Sequence, residues 1–123
     1  MKNQSAEYLN GLLKIGKWNY QVSINADYKI SYSYLDRIIN KVVAIQGIKK
    51  VFGVSSTNKS IGSFIYLIVE GKNVTRRKLE QTLKLKKNIL EKVNKIKSIK
   101  ELYHLCRHLG KDYSHHNIAV KKS

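Results

Sequence analysis

From Trp18 to Asn25 the chain alternates with a period of two. Trp18, Tyr20, Val22 and Ile24 fall on one side and Asn19, Gln21, Ser23 and Asn25 on the other, which predicts a half-buried strand. The period then lengthens. Leu35, Ile38, Ile39, Val42 and Ile45 recur at helical spacing, Ser33 stands three residues before Asp36 as a capping arrangement, and Gly47 stops the run. Ile48 to Val54 predicts a second strand, and the polar stretch Ser55 to Ser63 (SSTNKSIGS) reads as a loop. Phe64 to Val69 (FIYLIV) is apolar at every position, the pattern of a strand covered on both faces of a sheet.

Beyond Gly71 the periodicity supports two readings. Thr75 caps a helix that opens with Arg76, Arg77 and Lys78. Leu79, Leu83, Leu90 and Val93 continue it for five turns, or else Leu83, Leu85 and Ile89 belong to a strand after two helical turns. Ile99, Leu102, Tyr103, Cys106 and Leu109 line one face of a final amphipathic helix before Gly110, and the tail (HHNIAVKKS) holds a short edge strand at Ile118 to Val120. At the other end, Tyr8, Leu12, Leu13 and Ile15, interrupted by Gly11 and closed by Gly16, predict a short helical arm. An order of strand, helix, strand, strand, helix with room for a last strand predicts an α+β chain of the ferredoxin-like βαββαβ arrangement. RNA-binding modules and unrelated enzymes both use that arrangement, so function must be argued from sites.

Composition narrows the partner. The 123 residues carry 24 Lys plus Arg against 8 Asp plus Glu, a formal charge of +16. Residues 1–70 are net +5 and residues 71–123 net +11, so the second half is the expected binding half. Self-repulsion of this size is usually offset by a polyanion. Lysine outnumbers arginine 20 to 4, beside 14 Ile, 10 Asn and 8 Tyr. These are residues of AT-rich codons, as expected of an organellar, viral or low-GC bacterial gene. One cysteine, Cys106, excludes an internal disulfide and fits a reducing compartment. No apolar run is long enough to span a bilayer, and Met1 to Glu7 shows neither a secretory signal nor a transit peptide.

The stretch from about residue 18 to 93 resembles the S-ten family of small-subunit ribosomal proteins. That family has a strand reading Lys-Ala-Tyr-Asp-His, a helix ending in Gly, a long two-stranded hairpin, and then Val-x-Lys-Lys-Ser-Arg-Glu-Gln-Phe. Here Asn25, Ala26, Asp27 and Tyr28 fall at the first motif, and Gly47 follows at the family's spacing. Gly53 matches the glycine that opens the hairpin, and Thr57, Asn58 and Lys59 lie near its Pro-Thr-Lys tip. Ile65, Tyr66, Leu67 and Ile68 resemble the returning strand, while Val74, Arg76, Arg77, Glu80 and Gln81 match the basic motif. The family's proline-rich tip has no counterpart, since the chain has no proline.

The resemblance implies a structural, non-enzymatic protein without cofactor or metal. It would bind small-subunit ribosomal RNA in the head, thread a long hairpin loop into that RNA and touch neighbouring head proteins, with no membrane and no small-molecule substrate. It also implies a short helix from Thr75 to about Thr82 and a last strand from Leu83 to about Val93. Residues 1–16 are then an arm, 17–93 the RNA-binding core and 94–123 a basic helical extension. The composition and the absent import signal point to an organelle-encoded, mitochondrial version.

Three groups are candidate RNA contacts. Lys72, Asn73, Arg76, Arg77 and Lys78 combine cations with the free N–H groups of a helix start. Thr57, Asn58, Lys59 and Ser60 are small and polar enough for close approach to backbone and 2′-hydroxyl groups. Lys49, Lys50, Lys86 and Lys87 place cations on sheet edges, where they bind RNA or deter edge pairing. Tyr20, sharing a side with Trp18, Val22 and Ile24, is expected in the core. His104 and His108 share a helical face, but Cys106 does not, and no acidic residue or second Cys completes a metal set.

Two other classes compete. Tyr8 to Gly16 (YLNGLLKIG) faintly resembles the LAGLIDADG homing endonucleases, whose chemistry needs an acidic metal ligand where this chain has Lys14 and Ile15. A DNA-binding relative of that group, or a phage or plasmid regulator reading DNA with the Ile99 to Leu109 helix, is the alternative function.

Overall fold

The alternation that begins at Trp18 becomes β1 (Tyr20–Ala26), and the helical spacing becomes α1 (Tyr32–Val43). They are followed by β2 (Ile48–Asn58), β3 (Gly62–Gly71), α2 (Arg76–Leu83), β4 (Leu90–Lys95) and β5 (Tyr113–Val120). This computed structural model describes residues 11, 14, 17–26, 30–58, 62–85, 89–98, 100, 101 and 113–121. Among the described residues the fold is α+β, with α1 and α2 accompanying a five-stranded antiparallel sheet in the order β4-β1-β3-β2-β5.

β3 lies at the sheet centre, and Leu67, Ile68 and Val69 are fully buried, as their uninterrupted apolarity predicts. Its two faces are covered differently. Ile65, Leu67 and Val69 join Val22 and Ile24 of β1, Val51 of β2, five residues of α1 and Leu79 and Leu83 of α2 in one cluster. Ile68, paired with Gln21 and Phe52, points to the opposite face. There Gln21 Nε2 donates to Glu101 Oε1 at 3.1 Å. Gly53 lets α1 approach β2: a Cβ at that position would lie 2.7 Å from Leu67 Cδ2 and 2.8 Å from Ile39 Cδ1.

α1 starts earlier than the sequence pattern implies. Its cap is Ser31 rather than Ser33: the extended Ser31 accepts a 3.1 Å bond from Tyr34 N, while Ser33 is exposed inside the first turn. Ile30 and Leu35, the two positions of a hydrophobic staple, are both buried in the main cluster. Gly47, at φ +94°, then turns the chain into β2.

The hairpin also corrects the expectation. Ser55 to Ser63 is not a nine-residue loop, because β2 and β3 stay paired as far as Asn58 and Gly62. The backbone groups of Ser55 and Ser56 are taken up by β3 on one side and β5 on the other, so polar side chains do not break the strand. β1 pairs with β3 as far as Ser63, and β5 pairs with β2 as far as Ser56, so the described hairpin outruns its neighbours by only one or two residues.

The ambiguous segment follows the short-helix reading, two helical turns and then a strand, with the strand displaced toward the C-terminus. Lys84 adopts a left-handed conformation (φ 53°), and its N–H returns to Glu80 O, closing α2 after Leu83. The strand starts at Leu90, not Leu83. The tail contributes more than predicted: β5 spans eight residues and pairs with β2 along its length, locked by Lys121 N to Lys49 O at 2.8 Å and Lys121 Nζ to Ile45 O at 2.7 Å. Most of the expected N-terminal arm and of the Ile99 to Leu109 helix, with His104, Cys106 and His108, lies outside the described residues.

Candidate nucleic-acid interface

The β3–α2 turn is fixed before it is charged. Gly71 is buried so tightly that a Cβ there would lie 2.8 Å from both Gly47 O and Ile48 Cα. Its N–H donates to Asn19 Oδ1 at 2.9 Å, and Lys72 N donates to Gly47 O at 3.0 Å. Asn73 then adopts φ 57°, a left-handed conformation that Asn tolerates better than most residues. Val74 is buried, and Thr75 caps α2 with Oγ1 accepting from Lys78 N at 3.2 Å. On this frame Lys72, Asn73, Arg76, Arg77 and Lys78 are all exposed.

They are not equivalent. Arg76 donates from Nη1 to Leu90 O and from Nη2 to Glu91 O, the latter at 3.0 Å, so its guanidinium ties α2 to β4. Lys78 Nζ donates to Asn73 O at 3.1 Å and braces the turn. Lys72 and Arg77 make no such side-chain bond among the described residues, which leaves their cations available. Both Arg76 and Arg77 matched the basic motif in sequence; the geometry separates a strut from a free charge.

Lys49 and Lys50 belong to the same end of the sheet, since Ile48 pairs with Gly71. Lys49 is exposed, and Lys50 is half-buried opposite Glu70. Thr57 and Asn58 lie at the other end, in the last paired residues of the hairpin, so the candidates do not form one surface. Lys59, Ser60, Lys86 and Lys87 lie outside the described residues.

A cleft of about 380 Å³ opens beside the turn, lined by Asn19, Tyr20, Gly71, Lys72, Asn73, Lys95 and Ile96. Lys95 was missed by sequence reasoning, which ended the last strand near Val93. Only the pairing of Lys95 with Tyr20 shows that it stands over the same end as Lys72. Arg37 and Lys41 of α1 and Lys84 at the end of α2 are further exposed cations that no motif marked.

The tyrosines divide by environment. Tyr20 and Tyr34 pack against the main cluster, Tyr20 as expected, while Tyr32 is half exposed. Tyr66 stacks on Phe64 with ring centroids 6.0 Å apart. Burial, reinforced by the Glu91 carboxylate, pushes its hydroxyl above the ordinary tyrosine pKa. Among the described residues no group of three His, Cys, Asp or Glu side chains is placed to hold a metal, and no helix is long and apolar enough to cross a membrane.

Comparison with protein-family models, with curated proteins and with solved structures found no match to this chain.

Proposed function

We propose that this protein is a structural RNA-binding component of the small ribosomal subunit, a divergent member of the S-ten family acting in the head of an organellar, mitochondrial ribosome. Its core is a ferredoxin-like βαββαβ unit, and the order β4-β1-β3-β2 of the first four strands supports that topology, with β5 as an added edge. The observation that carries the functional reading is the rigid turn from Gly71 to Lys78. It holds Lys72 and Arg77 exposed and unpaired among the described residues, at one end of a chain of net charge +16. Cations of this kind on a preorganised backbone neutralise phosphates and release counterions, which gives affinity without sequence choice.

In this reading the turn end supplies the principal contact, beside the hairpin whose described strands pair through Asn58 and Gly62. Neighbouring ribosomal proteins have the exposed Ile118 and Val120 of β5 as apolar contact points. The test is binding of the purified chain to its small-subunit RNA across a salt series. Lys72→Gln with Arg77→Gln should flatten the slope of log affinity against log salt by about 1.4, at about 0.7 per phosphate contact on single strands. An unchanged slope removes both residues from the contact surface. Equal or tighter binding to DNA of matching sequence favours the DNA-binding alternative.

A further inference from the structure

We infer that the cleft between the β3–α2 turn and the end of β4 seats one unpaired nucleotide of a single-stranded RNA segment, with its phosphate held between Lys72 and Lys95. The inference rests on the RNA-binding reading above and specifies which form of RNA that end of the sheet selects.

The lining is the first argument. Lys72 and Lys95 bring cations from two separate elements, and none of the described lining residues is acidic. Neither ammonium group is hydrogen-bonded to another described residue. Asn19 uses Oδ1 to accept from Gly71 N, leaving its Nδ2 as a donor, and Asn73 adds a second carboxamide. A polar lining dominated by donors and without carboxylates fits an anion.

Size and rigidity are the second. A volume of about 380 Å³ exceeds what a phosphate group alone requires and lies within the range of small-molecule sites. The half-buried Tyr20, packed against the main cluster, also lines the cleft beside the two lysines. The walls are tied on each side: Asn19 N donates to Val69 O and Ile96 N to Asn19 O, both at 2.8 Å. The left-handed Asn73 is braced by Lys78. A duplex presents its phosphates but keeps its bases stacked inside. A single strand can give up one base and its sugar to a cleft while the phosphate meets the lysines.

The experiment uses the full chain and two labelled RNAs of equal length, one unpaired and one a blunt duplex, titrated by fluorescence anisotropy at several salt concentrations. Wild type is expected to bind the unpaired RNA more tightly. Lys95→Gln should weaken that binding about three- to tenfold and lower its salt slope by about 0.7, with a smaller effect on the duplex. Lys41→Gln, an exposed cation of α1 outside the cleft, is the control for general charge loss, and thermal melts confirm that each variant is folded. A nucleoside monophosphate in the NMR spectrum should shift Asn19 and Asn73 and leave α1 unmoved. Equal binding of both RNAs, or a Lys95→Gln effect no larger than that of Lys41→Gln, overturns the cleft assignment and leaves general RNA binding standing. A wild-type chain that binds neither RNA at low salt overturns the RNA-binding reading itself.

Discussion

Arg76 and Arg77 are adjacent in sequence and equal in charge, and the structure assigns them different work. Replacing either with glutamine removes one unit of charge from the same turn, so relief of self-repulsion is nearly the same in both variants and cancels in the comparison. Arg76→Gln also loses two charge-assisted bonds to the Leu90 and Glu91 carbonyls, one part-buried and one exposed. A bond from a charged donor contributes about 1.5–3 kcal/mol where water is excluded and less at the surface, so together they account for about 2 kcal/mol. For a chain of this length that corresponds to about 8 °C in Tm, at about 4 °C per kcal/mol. Arg77→Gln should leave Tm within about 2 °C, a surface substitution of about 0.5 kcal/mol or less, and lower the salt slope of RNA binding by about 0.7. Circular dichroism melts and anisotropy titrations on both variants read the two quantities independently. A Tm loss for Arg77→Gln with none for Arg76→Gln would refute the assignment.

Other consequences are open to direct measurement. Gly53→Ala places a methyl against the fully buried Leu67 and Ile39 and should destabilise by about 1–3 kcal/mol in urea denaturation, with RNA binding unchanged below the melt. Asn117→Ala removes the hydrogen bond that the Asn117 Nδ2 donates to the Asp36 carboxylate, joining β5 to α1. It should cost about 1 kcal/mol and speed amide exchange in β5 while β3 stays protected. Tyr66 has its pKa raised by burial and by Glu91, so the folded protein holds that proton longer than the unfolded chain. Its contribution is complete below the unfolded value near 10 and is lost as pH rises from there through the folded value, so alkaline melts should fall in that window. The Tyr66→Phe variant should show a shallower fall.

Local signals in the sequence carried much of the fold. Trp18 to Asn25, Leu35 to Ile45 and Phe64 to Val69 each repeat with one clear period, and each forms an element close to the expected place. The errors fall where the deciding interaction is distant. Ser55 to Asn58 look like a loop because they are polar, but all four are held as strand by β3, and Ser55 and Ser56 also by β5, which begins 55 residues beyond Asn58. Leu83, Leu85 and Ile89 suit either a helix or a strand, and the left-handed Lys84 decides between them at one residue that no hydrophobic pattern marks. The candidate site divides in the same way. The cluster from Lys72 to Lys78 was legible as charge beside a capping threonine. That Arg76 is a strut depends on the carbonyls of β4, and that Lys95 stands beside Lys72 depends on the pairing of β4 with β1.

The functional account depends on an exposed cationic turn bound to ribosomal RNA. The most direct test is sedimentation of the tagged full-length chain in an extract of its own cells through a sucrose gradient at low and high salt. Comigration with small ribosomal subunits at low salt, and release only at high salt, is the predicted result. Recovery of the whole protein at the top of the gradient at low salt would contradict it.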